Sequence, residues 1–225
     1  MIIYGKQPVY YALGRHRDRV RTLYLAKEID KKEYANLMKT GIEVKRIPEK
    51  AAQSMVKGGN HQGFIAEMAP IVPYAPTFLK GCSFVVVLNS ITDMGNIGSL
   101  VRTAYALGID ALVICGIKEP NLESIVRTST GAALDLPLVV VHNIYDVMHE
   151  LKQTGFRLYG AMMEGTDVRQ MEFAPKRALI LGNEGEGLSG RVQKGLDSGV
   201  SIPMAHDFDS LNVGVAGAIL MERMR

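Results

Sequence analysis

Arg102 is the side chain whose type and placement most suggest chemistry. It lies in DMGNIGSLVRTA (93–104), directly after the apolar run FVVVLNS (84–90), a strand giving way through two glycines to a helix. A ligand commonly sits on the N-terminus of such a helix, where unpaired N–H groups and the helix dipole favour it. A dinucleotide turn would read G-x-G-x-x-G with an acid about 20 residues on. Here the glycines are spaced G-x-x-G and no acid closes the next run, ALVIC (111–115), which disfavours a nicotinamide cofactor. At about 100° per residue, Ile97, Leu100, Val101, Ala104 and Gly108 form an inward stripe. Arg102 falls opposite, on a side shared with Gly98, Ser99 and Ala106. A bulky cation over a floor of small residues is either a ligand anchor or a plain surface arginine.

Two further segments bear on that choice. LGNEGEGLSG (181–190) again follows an apolar strand and carries Glu184 and Glu186. Phosphate loops avoid paired carboxylates unless a metal bridges them, so this loop suits a neutral or cationic ligand, or is a mere glycine-rich turn. SIPMAHDFDSLNVGVAGAILMERM (201–224) ends in a helix from about Ser210 that Asp209 or Ser210 can cap, with Asn212 and Gly214 in its first turns. Three such loops, each at the C-terminal end of a strand, make a site.

The elements that must position them divide the chain. MAPIVPYAPTF (68–78) holds three prolines and reads as a linker, taken as 71–80. Before it, residues 1–70 alternate short helices (PVYYAL, KKEYANLMKT, EKAAQSMVK) with strands (RTLYLA, IEVKRI, GFIAEM), a small α/β sandwich. After it, residues 81–225 carry strands near 84–89, 111–115, 138–142, 157–163, 178–183 and 200–204. Runs such as VVVL and LVVV are apolar at every position, as buried parallel strands are. The fold class is therefore α/β in both parts.

Composition sets the bounds. Hydrophobic content of 47% and charged content of 22% describe an ordinary globular protein, and no run approaches the roughly 18 apolar residues of a membrane span. The start lacks the order of a signal peptide. Only Cys82 and Cys115 are present, which disfavours a disulfide framework and makes a reducing cytoplasm the expected setting. The five histidines show no ligand spacing with the cysteines, so no metal site is expected. Residues 1–70 carry 13 Lys/Arg against 7 Asp/Glu, whereas residues 71–225 carry 13 against 16. RHRDRVR (15–21) and DKK (30–32) are either solvated helix ends or part of a surface for a polyanion.

Together these segments resemble the SpoU branch of the SPOUT RNA methyltransferases. NIGSLVRTA (96–104), LILGNEGEGLS (179–189) and IPMAHDFDSLNVGVA (202–216) match its three ordered motifs, and RTSTGAALDLPL (127–138) is similar to its Ser-x-Gly-Ala stretch. IYGKQPVYYAL (3–13) and HQGFIAEMAP (61–70) resemble the opening and closing of the RNA-binding module of bacterial enzymes that methylate a guanosine of large-subunit rRNA. Nearly the whole chain is covered. Gly214 stands where the family usually has serine, and Met94-Gly95 where Pro-His is common.

The resemblance implies an L30e/L7Ae-like RNA-binding domain followed by an α/β-knot catalytic domain tied in a deep trefoil knot, an exception to the rule against threaded chains. It implies methyl transfer from S-adenosylmethionine to a ribose 2′-hydroxyl, by a homodimer. Gly182, Ile202, Met204 and Leu211 would line the donor pocket. Arg102 would hold the target by a phosphate and stabilise the developing alkoxide, since a guanidinium stays charged and fits phosphate bidentately. Asn96 and Asn212 would orient the hydroxyl and the helix ends. Glu184 would accept the proton or order Arg102, and Ser210 would act in catalysis or only cap the helix. Arg15, Arg17, Arg19, Arg21, Lys31 and Lys32 would grip RNA backbone; Tyr10 and Tyr11 would stack on bases or sit in the core. A tRNA guanosine as target, a catalytically inactive RNA-binding knot and, least favoured, a nicotinamide-linked oxidoreductase are the alternatives.

Overall fold

The computed structural model describes residues 1–183, 185–206 and 210–225. In chain order its first part runs β1 (Ile2–Tyr4), α1 (Lys6–Arg15), β2 (Val20–Leu25), α2 (Lys31–Met38), β3 (Glu43–Arg46), α3 (Glu49–Met55) and β4 (Phe64–Met68). These strands form one sheet in the order β1-β4-β2-β3, with β2 and β3 parallel and β4 antiparallel to both neighbours. β1, a three-residue strand too short to show a period in sequence, is an addition to the expected elements.

The second part runs β5 (Phe84–Asn89), α4 (Met94–Ala106), β6 (Ala111–Cys115), α5 (Leu122–Thr128), β7 (Leu138–Val141), α6 (Ile144–Gln153), β8 (Arg157–Asp167), β9 (Arg177–Leu181), α7 (Gly190–Gln193), β10 (Ser198–Ser201) and α8 (Val213–Met224). All its strand pairings are parallel, in the order β10-β8-β9-β5-β6-β7. The unbroken apolar runs follow from this: Val86 and Leu88 of β5 enter the core under α4 and α8, while Val85 and Val87 enter a second core under α6. Cys82 and Cys115 are free thiols in that second core, and burial pushes both up to about 11. Several strand ends differ from expectation: β9 stops at Leu181 rather than 183 and β10 at Ser201 rather than 204. β8 runs on to Asp167, and β10 begins at Ser198 rather than Val200, because the two pair in parallel with a register shift at Gly199/Val200.

The proline-rich segment is anchored at both ends. The Ala69 amide donates to the Arg19 carbonyl (2.8 Å), the Tyr74 amide donates to the Leu138 carbonyl (2.8 Å), and Pro76–Gly81 form a 3-10 helix that buries Leu79. The two sheets share one hydrophobic core, which contains Ile3, Val9 and Leu13 together with Leu100, Ile125 and Leu134. Polar contacts seal the junction. The Ile2 amide donates to Glu123 Oε1 (2.8 Å), Arg15 donates to the Tyr105 hydroxyl (2.9 Å), and the Tyr11 hydroxyl donates to Asp135. Gly131, at φ +100°, lies so close to the Tyr11 ring that a Cβ would come within 2.6 Å of it.

Candidate active site

The chain leaves β5 and moves through β6 and β7 to one edge, then returns to place β8 and β9 on the other side of β5. The crevice at the C-terminal ends of β5 and β9, where the winding reverses, is where open α/β sheets bind ligands. Three loops converge there. Ser90, with φ +58°, follows β5 and accepts a hydrogen bond at its carbonyl from Asn183 Nδ2 (3.2 Å). The loop after β9 folds on itself: Asn183 pairs with Gly187, and Asn183 Oδ1 accepts from the Gly185 amide (2.7 Å). A Cβ on Gly182 would lie 2.3 Å from the Gly187 carbonyl carbon, so only glycine fits and the strand end presents bare main chain. The loop after β6 packs onto the first through Gly116, at φ +81°, whose added Cβ would meet Ser90 Oγ at 2.6 Å.

Two helices start at this crevice. Asp93 caps α4 by accepting from the Asn96 amide (2.7 Å). α8 is capped by Asn212, whose Oδ1 accepts from the Gly214 (2.9 Å) and Val215 (3.4 Å) amides. The expected cap was Asp209 or Ser210. Asp209 lies outside the described residues, and Ser210 is exposed two residues before the cap. The two helices pack closely because Gly217 has no side chain: a Cβ there would come within 2.3 Å of Leu100 and 2.9 Å of Leu181. Their starts are joined by Asn212 Nδ2 donating to Asn96 Oδ1 (3.1 Å).

On α4 the inward stripe is corrected at two glycines. Gly108 is exposed at φ +73° beyond the helix, serving the turn. Gly98 is buried beneath α5, where an added Cβ would meet Thr128 Oγ1 at 1.9 Å. The open side is thus narrower than the floor expected from spacing; it keeps Ser99, Arg102 and Ala106, all exposed. Arg102 stands six residues after Asn96, about 9 Å along the axis.

The site residues expected from sequence fall into groups. Asn96 and Asn212 meet; Ser99, which was not among them, lies 3.5 Å from where a Cβ on Gly214 would stand. Gly182 is half-buried in the loop after β9, Ile202 and Leu211 are half-buried between β10 and α8, and Met204 is exposed. Glu184 lies outside the described residues. Asn183, Ser90 and Thr128 were not foreseen; Asn183 was legible only as a polar residue in a glycine-rich loop. The basic residues do not form one group. Arg15, Arg17 and Arg21 line a cavity of about 590 Å³, Lys32 lines a separate cleft with Lys6 and Glu33, and Lys31 is exposed at the start of α2. Arg19 instead donates to the Pro70 carbonyl (3.0 Å), holding the proline-rich segment. Tyr10 donates to Glu33 (2.6 Å), and burial first, then that carboxylate, raises its phenol above the ordinary range. Both tyrosines are packed rather than presented for stacking. Among the described residues no cluster of His, Cys, Asp or Glu could hold a metal, and no helix is long and apolar enough to cross a membrane.

The bare main chain at Gly182 and the half-buried apolar side chains of Ile202 and Leu211 fit S-adenosylmethionine. Segments 182–189 and 202–212 contain no lysine or arginine, so nothing in them opposes a sulfonium or compensates a triphosphate. An exposed arginine on α4 and a basic domain attached suit an enzyme that acts on nucleic acid. Comparison with known proteins makes this specific. The model of the SpoU rRNA Methylase family matches residues 83–222, and that for RNA 2′-O ribose methyltransferase substrate binding matches residues 2–73. The 23S rRNA (guanosine-2′-O-)-methyltransferase RlmB of Vibrio cholerae is 31% identical, covering 100% of this chain and 96% of that one. The enzyme of the same name from Pseudomonas putida is 30% identical, over 99% and 95%. The crystal structure of the SpoU methyltransferase AviRb from Streptomyces viridochromogenes, in complex with its cofactor AdoMet, superposes with a TM-score of 0.79 at 26% identity, over 99% of this chain and 88% of that one. The chain belongs to the SpoU rRNA methylase family, whose members are S-adenosylmethionine-dependent RNA 2′-O-methyltransferases.

Proposed function

We propose that this protein methylates the ribose 2′-hydroxyl of a guanosine in large-subunit rRNA, acting as a cytoplasmic homodimer whose catalytic domain is tied in a trefoil knot. The observation that carries the catalytic part is the joining of the α4 and α8 starts by Asn212 and Asn96, beside exposed Arg102. The substrate is supported by relatives that match over the whole chain, RNA module included. Exposed Val215 and Ile219, one turn apart on α8, support a self-association face.

The donor, when bound, supplies a methyl group already attached to a good leaving group. The protein's task is to orient the hydroxyl in line and stabilise charge as its proton leaves. Arg102 holds a phosphate of the target nucleotide and stabilises the developing alkoxide. Asn96, held by Asn212, orients the hydroxyl. Gly182, Ile202, Met204 and Leu211 form the donor pocket, with the Gly182 main chain the part no side chain can replace. Glu184 would accept the proton or order Arg102.

The test is transfer of labelled methyl from S-adenosylmethionine to unmodified large-subunit rRNA fragments and, in parallel, to tRNA transcripts, with Arg102→Ala alongside. Label on a ribose of rRNA, reduced on the order of 10²–10³-fold in the variant while donor binding persists, is expected. Label on tRNA alone overturns the substrate and keeps the chemistry. Failure to bind the donor overturns the whole reading.

A further inference from the structure

The cavity of about 590 Å³ lies on the small domain, away from the methyl-transfer crevice. It is lined by Gly14 and Arg15 at the end of α1, by Arg17 and Asp18 of the following 3-10 turn, and by Val20 and Arg21 of β2. Gly41, Ile42 and Glu43 close it from the start of β3. It is an open depression on the surface rather than an enclosed pocket, a shape that suits a passing polymer strand better than a small ligand. Three arginines and two acidic residues, Asp18 and Glu43, are among its lining residues. Glu43 is occupied, bound by Lys45 (3.0 Å) and by the Thr22 hydroxyl (3.0 Å), and chiefly the Lys45 bond lowers its pKa. Arg17 is set close against the backbone: an added Cβ on Gly41, at φ +70°, would meet its Nη2 at 2.8 Å. Arg15 keeps 60% of its side chain exposed although Nη1 donates to the Tyr105 hydroxyl (2.9 Å) and lies 3.8 Å from Asp135.

The bond from Arg15 to Tyr105 gives the cavity a direction. Tyr105 follows Arg102 by three residues on α4, about 4.5 Å along the helix and on the same side. Arg15 therefore spans from the cavity to the helix that carries the catalytic arginine. We infer that this cavity binds backbone phosphates of the substrate RNA, with Arg15, Arg17 and Arg21 as ligands, and that the bound strand runs from it past Tyr105 to Arg102. Of the six basic residues that stand out in the sequence, the phosphate site uses these three. Arg19 turns to the Pro70 carbonyl and does not line the cavity, and the cleft at Lys32 is partly neutralised by Glu33 and Asp30. The inference rests on RNA being the substrate, but it is tested by binding rather than by methyl transfer.

The experiment measures binding of a labelled single-stranded rRNA fragment to the full chain, without methyl donor, over a salt series. Replacing both arginines (Arg17→Ala with Arg21→Ala) is expected to weaken binding on the order of tenfold. The slope of log affinity against log salt should flatten by about 0.7 for each phosphate that is no longer neutralised. Asp18→Asn removes a carboxylate that repels phosphate and is expected to tighten binding several-fold, a gain that misfolding cannot produce. Wild-type affinity and slope in the double arginine variant, or no gain in Asp18→Asn, overturns the inference. So does a larger loss from Lys31→Ala with Lys32→Ala, which would put the strand across the other cleft. Intact RNA binding with no methyl transfer to any RNA counts against the proposed function and leaves the cavity standing.

Discussion

Asn212 does two jobs with two atoms. Its Oδ1 caps α8, and its Nδ2 donates to Asn96 on α4. Substitution separates them. Asn212→Ala loses both; the missing cap alone costs about 1 kcal/mol, a fall in Tm of roughly 2–4 °C for a chain of this size. Asn212→Asp keeps an acceptor for the helix amides and favours the positive end of the helix dipole, but loses the donor. We expect thermal unfolding of the aspartate variant to stay near wild type while single-turnover methyl transfer falls roughly tenfold. Wild-type transfer in that variant would mean that the bond between the asparagines only fastens two helices. Gly214 next to it is buried: a Cβ there would stand 3.1 Å from Asn212 Oδ1, a tight contact, and 3.5 Å from Ser99 Oγ, so a serine at this position would place its hydroxyl next to the start of α4.

At the scale of elements, α4 is fixed by glycines on two sides, Gly98 beneath α5 and the partner glycine Gly217 on α8. Gly98→Ala improves intrinsic helix propensity by roughly 1 kcal/mol. The new Cβ, however, would stand 2.8 Å from the Thr128 carbonyl carbon as well as against its hydroxyl. Backbone cannot yield as a side-chain tip does, so overpacking of about 1–3 kcal/mol should prevail, read as a lower denaturant midpoint; an unchanged or higher midpoint would show that α5 gives way freely. This helix also shows what sequence could not convey. The 3.6-residue period placed Ile97, Leu100, Val101 and Ala104 correctly because these four positions are fully buried between the sheet and the helices packed beside α4. It could not place Gly98 or Gly108, because a glycine buried by a second helix and a glycine at positive φ look alike in a string of letters. The parallel strands were legible, since burial on both faces demands apolar residues throughout. β1 was not, because three residues carry no period and its pairing with β4 spans more than sixty positions. The loops of the site were legible as glycine-rich strand ends, whereas the Asn183 contact with Ser90 depends on strands ninety residues apart lying side by side.

At the scale of the whole molecule, RNA module and catalytic sheet meet at Asp135, at the end of the short 3-10 turn after α5. Its carboxylate accepts from the Tyr11 hydroxyl, lies 3.1 Å from His16 Nε2 and 3.8 Å from Arg15. Burial first, then the bond to this carboxylate, holds the Tyr11 phenol above its ordinary range, so it stays a donor at any working pH. Three groups at the end of α1 thus converge on one acceptor from the other sheet, and the same α1 end forms one wall of the arginine-lined cavity. Under the proposed function, a rigid junction would convert RNA bound on one domain into a nucleotide placed at Arg102; a loose one would leave the target to find the crevice by diffusion on a tether. Asp135→Ala leaves the half-buried Tyr11 hydroxyl without this acceptor, a cost of about 1–3 kcal/mol confined to the junction. The expected result is unchanged affinity for S-adenosylmethionine, a several-fold higher KM for RNA, and faster proteolytic cleavage in residues 69–75, where the chain passes between the sheets. Tyr11→Phe, which removes the hydroxyl but keeps the ring against Gly131, should show the same changes at smaller amplitude. If Asp135→Ala keeps the wild-type KM and cleavage rate, the shared hydrophobic core alone holds the domains in place, and the polar contacts at the end of α1 serve only to satisfy one another.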